Sequence, residues 1–157
     1  MNIDLVAATA TGPTELAAFD AALLVTGLAN YNLIYLSSVI PPGTVLHHAE
    51  TTDPGGVWGD RLYLVAAQHR TSTFGAQVWA GIGWVQDEIT GAGLFVEHHG
   101  DHEDIVRSDI ELSLKALMQG RNIDFGEIHV RITGGTCSGQ PLCALAAAAY
   151  ESDPWRS

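Results

Sequence analysis

The run 78-VWAGIGWVQ-86 constrains the fold most, because it is apolar at odd and even positions alike. A strand of this kind is covered on both faces. The chain that contains it must place packed layers above and below it. Gly81 and Gly83 inside the run mark either a bulge or a close approach of another element to the backbone. Further strands read at 2–8, 32–37, 62–68 and 92–98. The segment 127-EIHVRIT-133 alternates Ile128, Val130 and Ile132 with polar neighbours, as a half-buried strand does.

Two helices interrupt the strands. After a turn at 11-TGP-13, Thr14 can cap a helix that carries Leu16, Phe19, Leu23 and Leu28 at helical spacing. Asp20 is one turn from both Leu16 and Leu24, which predicts a carboxylate on the edge of the apolar face. A second helix opens at Asp101 or His102 and runs through Met118. Acidic residues at 101, 103 and 104 suit its N-terminal dipole, and Gly120 suits its end. Residues 44–61 hold Gly, Pro and Asp without a period and read as a loop. The small apolar segment 142-LCALAAAAY-150 admits helix or strand. The order of elements is that of an α+β protein, with 1–157 as one domain, long enough for a sizeable core.

Charge narrows the partners. Eighteen acidic against seven basic residues give a net charge of −11, which argues against nucleic acid, since binding it needs clustered Lys and Arg. An anionic protein can instead attract small cations. There is no apolar run long enough for a membrane span and no signal-peptide pattern. Cys137 and Cys143 form neither a CxxC motif nor a disulfide framework, so a reducing cytoplasm is expected and both read as inert small residues. Charged residues make up only 16% of the chain against 46% hydrophobic, which predicts that part of the surface is buried in an oligomer.

The stretch 32-NLIYLSSVIPPG-43 carries the chemistry. Adjacent serines ahead of two prolines can simply end a strand. They can also act on the chain itself. A hydroxyl held beside the preceding carbonyl can attack it and move the acyl group from nitrogen to oxygen. This exchange of amide for ester needs a strained backbone and a stabilised oxyanion. Elimination at Ser38 would then cleave the chain, and loss of ammonia would leave a pyruvoyl ketone. That ketone can form a Schiff base with an amine and act as an electron sink.

Residues 14–43, TELAAFDAALLVTGLANYNLIYLSSVIPPG, resemble the pyruvoyl-dependent arginine decarboxylases, with an acidic residue in an AFD-type helix, an Asn-Leu-Ile strand, a Ser-Ser pair and Pro-Pro. The block 91-GAGLFVEHHG-100 is similar to the strand before that family's second helix, and 143-CALAAAAY-150 to its C-terminal segment. The resemblance implies an αββα four-layer sandwich assembled as a homotrimer of cleaved protomers. It implies cleavage between Ser37 and Ser38, giving 1–37 and 38–157, with a covalent pyruvoyl group derived from Ser38. It gives Asn32 a part in positioning and self-processing, Glu97 the part of proton donor, and Asp20 the substrate guanidinium, across a subunit boundary. The expected reaction is L-arginine to agmatine and carbon dioxide. The same chemistry on another amino acid, or an unprocessed trimeric homologue with a binding or structural role, are the alternatives. Residues 44–75 depart most from the family pattern, and histidines follow Glu97 where a second acidic residue is expected.

The residues admit other readings of the same groups. Glu97, beside Leu94, Phe95 and Val96, is either a carboxyl whose burial raises its pKa or an exposed strand end. Asp20 is a bidentate partner for a guanidinium or a solvated helix residue. Asn32 is an oxyanion donor or part of the turn out of the first helix. The segment 97-EHHGDHED-104 is either a transition-metal site or a polar loop with an acidic helix start, and its spacing fits no standard metal site. No nucleotide-binding glycine motif occurs.

Overall fold

Two apolar stretches, not one, are covered on both faces, and they lie inside two different sheets. The computed structural model describes residues 1–156. Their elements run β1 (Asn2–Thr11), α1 (Glu15–Thr26), β2 (Asn32–Tyr35), β3 (Val39–Ile40), β4 (Val45–His48), β5 (Arg61–Thr71), β6 (Gln77–Gln86), β7 (Gly93–Gly100), α2 (Glu103–Arg121), β8 (His129–Thr136) and β9 (Leu142–Asp153). One sheet has the order β2-β5-β9-β1-β4 and the other β3-β7-β6-β8. The run at 78–86 lies within interior strand β6. The segment left open between helix and strand lies within β9, the central strand of the larger sheet. Its residues 142–149 are buried without a period, which is why alternation could not identify it.

The layers stack as α1, five-stranded sheet, four-stranded sheet, α2. Ile3, Leu5 and Val65 meet Val78, Ile82 and Phe95 between the sheets. Ala18, Ala22 and Leu23 of α1 cover Val6, Leu62 and Leu145. Val106, Ile110 and Leu114 of α2 cover Val85, Leu94 and Val96. Each such aliphatic side chain contributes roughly 1.5–3 kcal/mol on leaving water. This is the αββα arrangement that the resemblance implied.

Gly81 and Gly83 mark a close approach. A Cβ on Gly83 would lie 2.1 Å from Ile110 Cγ2, so α2 settles directly onto the β6 backbone.

Four local expectations are corrected. Residues 45–48 are not loop: they form β4 and pair in parallel with β1, Asn2 opposite Val45. The strand read at 32–37 stops at Tyr35, so the serines lie outside it. The apolar spacing read for α1 holds for Leu23, Leu28 and partly for Phe19, but not for Leu16. Ala18, Ala22, Leu23 and Thr26 face inward, while Leu16 and Leu24 are 66% and 60% exposed. The small residues win because the helix packs on the alanine-rich β9, and small side chains allow close contact. Gly120 lies within α2, which ends instead at Asn122 in the left-handed region (φ 52°), a conformation asparagine tolerates.

Candidate active site

The serine pair lies where the chain leaves one sheet and enters the other. Leu36 N–H donates to Leu64 O at 2.9 Å, the last backbone bond to the five-stranded sheet. Phe95 N–H donates to Ser38 O at 2.8 Å, the first bond to the four-stranded sheet, and β3 then pairs with β7. The Ser37–Ser38 peptide therefore spans two fixed anchors. Ser38 takes φ 70°, in the left-handed region that non-glycine residues enter at a cost of about 1–2 kcal/mol. Strain of this kind persists only when the surroundings over-determine it.

Across this crossover, Ser38 Oγ donates to Glu97 Oε2 at 2.9 Å. Glu97 as a whole residue is exposed in the single chain, yet burial at its carboxyl end pushes its pKa above the ordinary value. The hydrogen bond from Ser38 and the neighbouring His98 oppose that shift without cancelling it. The carboxyl's own surroundings, rather than the area of the residue, set this direction.

Ser37, Ser38 and Glu97 line a cavity of about 550 Å³ whose far wall is the α2 face bearing Ser113, Leu117 and Arg121. His98 on β7 meets Ser113 Oγ at 2.8 Å and ties the strand to that wall. Glu97 also borders a smaller cavity of about 350 Å³ with Tyr35, Gln68 and His99.

Not all the expected residues converge. Asn32 opens β2, outside both cavities, and its Nδ2 donates to Gly59 O at 2.6 Å. It fixes the start of the strand that leads to the serines rather than touching them within one chain. Asp20 is exposed on the outward face of α1, flanked by exposed Leu16 and Leu24, and lines neither cavity.

Tyr150 escaped sequence reasoning. It ends the alanine run of β9, packs edge-on against Phe95 with centroids 6.2 Å apart, and donates its hydroxyl to Val39 O at 2.8 Å. It thus holds the residue after Ser38. Burial, and then the charge of Glu97, raise its pKa, so it remains a donor. A lone tyrosine after eight small or apolar residues was the available signal. Arg121, at the end of α2, gave no sequence signal at all.

The 97–104 segment disperses rather than converging. His98 goes to Ser113, His99 stacks on His69, Asp101 bonds His69 at 2.8 Å, and Glu103 pairs with Arg107. Among the described residues no group of three His, Cys, Asp or Glu side chains is placed to hold a metal ion. Both cysteines are free and buried, and burial pushes the Cys143 thiol up to about 11, far from a reactive thiolate.

Comparison with known proteins adds to this geometry. The family described as pyruvoyl-dependent arginine decarboxylase matches residues 2–153. A pyruvoyl-dependent arginine decarboxylase of Halobacterium salinarum is 38% identical over 146 residues, covering 90% of this chain and 89% of that protein. The protein of the same description from Pyrococcus abyssi is 34% identical over 151 residues, covering 91% and 90%. That from Methanothermobacter thermautotrophicus is 29% identical, covering 85% of each.

Proposed function

The chain belongs to the pyruvoyl-dependent arginine decarboxylase family, and from that premise we propose which of its residues make and use the cofactor. It is an enzyme that decarboxylates arginine with a covalently bound pyruvoyl group. In our reading the group derives from Ser38. The supporting observation is the strained Ser38 at a sheet-to-sheet crossover with its hydroxyl 2.9 Å from a carboxylate. These residues fit the group: one hydroxyl, one base and a cavity beside them.

Glu97 takes the hydroxyl proton as Ser38 Oγ bonds to the carbonyl carbon of Ser37. The C–N bond breaks, the nitrogen gains a proton, and an ester remains. Loss of the Ser38 α-proton then expels Ser37 as a carboxylate, and water releases ammonia from the new terminus. A raised pKa makes Glu97 the stronger base for this. The anchors at Leu36 and Ser38 hinder relaxation of the bond before it reacts.

Once formed, the group would supply a ketone able to condense with the substrate amine and to take up the electron pair freed with carbon dioxide. Glu97, whose burial favours its protonated form, would return a proton to carbon, and water would then release agmatine and restore the ketone. Asp20 takes the guanidinium from a neighbouring copy, in a trimer whose contact surface includes the outward apolar face of α1. Asn32 keeps the start of β2 in place through Gly59. No helix among the described residues is long and apolar enough to cross a membrane, and two free buried thiols suit a cytoplasmic setting.

Intact mass tests the reading. The expected result is one fragment of 1–37 and one of 38–157 without a free amine, the latter reactive toward a hydrazine reagent. Carbon dioxide release from L-arginine should accompany them. A single full-length chain in an active preparation would overturn it.

A further inference from the structure

The cavity holding Ser38 and Glu97 has one Lys or Arg among its lining residues, Arg121 in the last turn of α2. Its neighbours in that wall, Ser113 and Leu117, stand at successive helical turns, so Arg121 continues one stripe of the helix along the cavity. Cations are scarce in this chain, seven against eighteen acidic residues, and most arginines are committed elsewhere. Arg61 is held by Asp153, Arg107 by Glu103, and Arg131 by the carbonyls of Leu5 and Ala49. Arg121 spends one N–H on Leu117 O at 3.1 Å, a bond within its own helix. A guanidinium carries five donors in a planar fork suited to a carboxylate.

An α-amino acid brings a carboxylate into a strongly anionic protein, beside Glu97. We propose that Arg121 binds the substrate's α-carboxylate and so orients the amino acid in the cavity. The same charge repels the substrate's guanidinium, which directs that end away from α2. This rests on the decarboxylase reading and names a specificity residue within it. The interaction belongs to the ground state. As carbon dioxide leaves, the carboxylate charge vanishes, so Arg121 contributes to binding and not to the rate of the chemical step. Agmatine has the same amine and guanidinium but no carboxylate, so it should gain nothing from Arg121.

The test uses processed wild type, Arg121→Gln and Arg121→Lys, with KM and kcat for L-arginine and competitive inhibition by agmatine. For Arg121→Gln, KM should rise roughly 10- to 100-fold, the range of a charged hydrogen-bonded contact. The turnover number should not fall, and agmatine inhibition should hold or tighten. Arg121→Lys keeps the charge but loses the fork, so its KM should lie between. An unchanged KM in Arg121→Gln overturns the assignment. So does an equal loss of arginine and agmatine affinity, which is what mere support of the helix end would give. If Arg121→Gln does not fold, Arg121→Lys decides alone: arginine must weaken while agmatine does not. Failure of wild type to cleave itself or to release carbon dioxide sinks the decarboxylase reading instead, independently of Arg121.

Discussion

Ser38 Oγ and Glu97 Oε2 are in hydrogen-bond contact at 2.9 Å although 59 residues separate them in sequence. The contact joins the two chemical halves of the molecule. On the proposed route Glu97 is ionised in the precursor, where it takes a proton, and protonated in the mature enzyme, where it gives one. Self-cleavage should therefore quicken as pH rises through the raised Glu97 pKa, and decarboxylation should slow through the mature enzyme's corresponding value. Timed intact mass and carbon dioxide release over a pH series check the two limbs.

Glu97→Gln should also alter stability. A carboxyl with a folded pKa above its unfolded one binds more protons when folded, so its stabilisation is present at acid pH and lost as pH rises through the folded value. The variant should therefore melt higher than an uncleaved wild-type reference at about pH 8, and the gap should close toward about pH 4. Ser38→Ala supplies the uncleaved background for both proteins.

Ser38→Ala and Ser38→Gly should both remain single chains without ketone or activity. They should differ in stability. At φ 70° alanine meets the left-handed penalty and glycine does not, so Ser38→Gly should be more stable by about 1 kcal/mol. Denaturant unfolding of the two uncleaved proteins measures this.

Gly83→Ala should cost about 1–3 kcal/mol, the usual penalty of overpacking, because its Cβ would enter Ile110. Ile110 is fully buried and has nowhere to go. The displaced helix carries Ser113 and Arg121, so weaker arginine binding should accompany the lower Tm.

Asp20→Asn should raise KM for arginine and leave self-cleavage intact, as befits a residue outside the Ser38 cavity. Leu16→Glu and Leu24→Glu should instead lower the mass of the assembly in solution, read by light scattering. A trimer unaffected by either leucine would remove α1 from the interface.

How much of this could be read in the sequence depended on whether its cause was local. β6 and the two helices were legible from their own residues. β4 was not, because VLHH has no period and becomes a strand only by pairing with β1, more than forty residues earlier. β9 stayed open because a strand covered on both sides has no alternation to show. The serine pair was legible as a motif, but the reason for its strain was not. That reason is a change of sheet between Leu36 and Ser38, and it exists only once β5 and β7 are assembled. Asp20 was placed on the right helix but in the wrong relation to the buried face, which Ala18, Ala22 and Leu23 form while Leu16 and Leu24 point outward.

On the proposed route the Ser38–Glu97 hydrogen bond exists only before the chain is cleaved. It is one of the influences that hold the Glu97 pKa down. On the proposed route the hydroxyl oxygen departs with the carboxyl end of residues 1–37, and that restraint departs with it. The acidity of Glu97 thus records the history of its chain, favouring the ionised carboxylate before cleavage and the protonated acid after it. Such a change has no reverse. A cell that needs less of this activity cannot return the enzyme to its precursor; it must dilute, inhibit or degrade it, and restoring the activity requires a newly made chain.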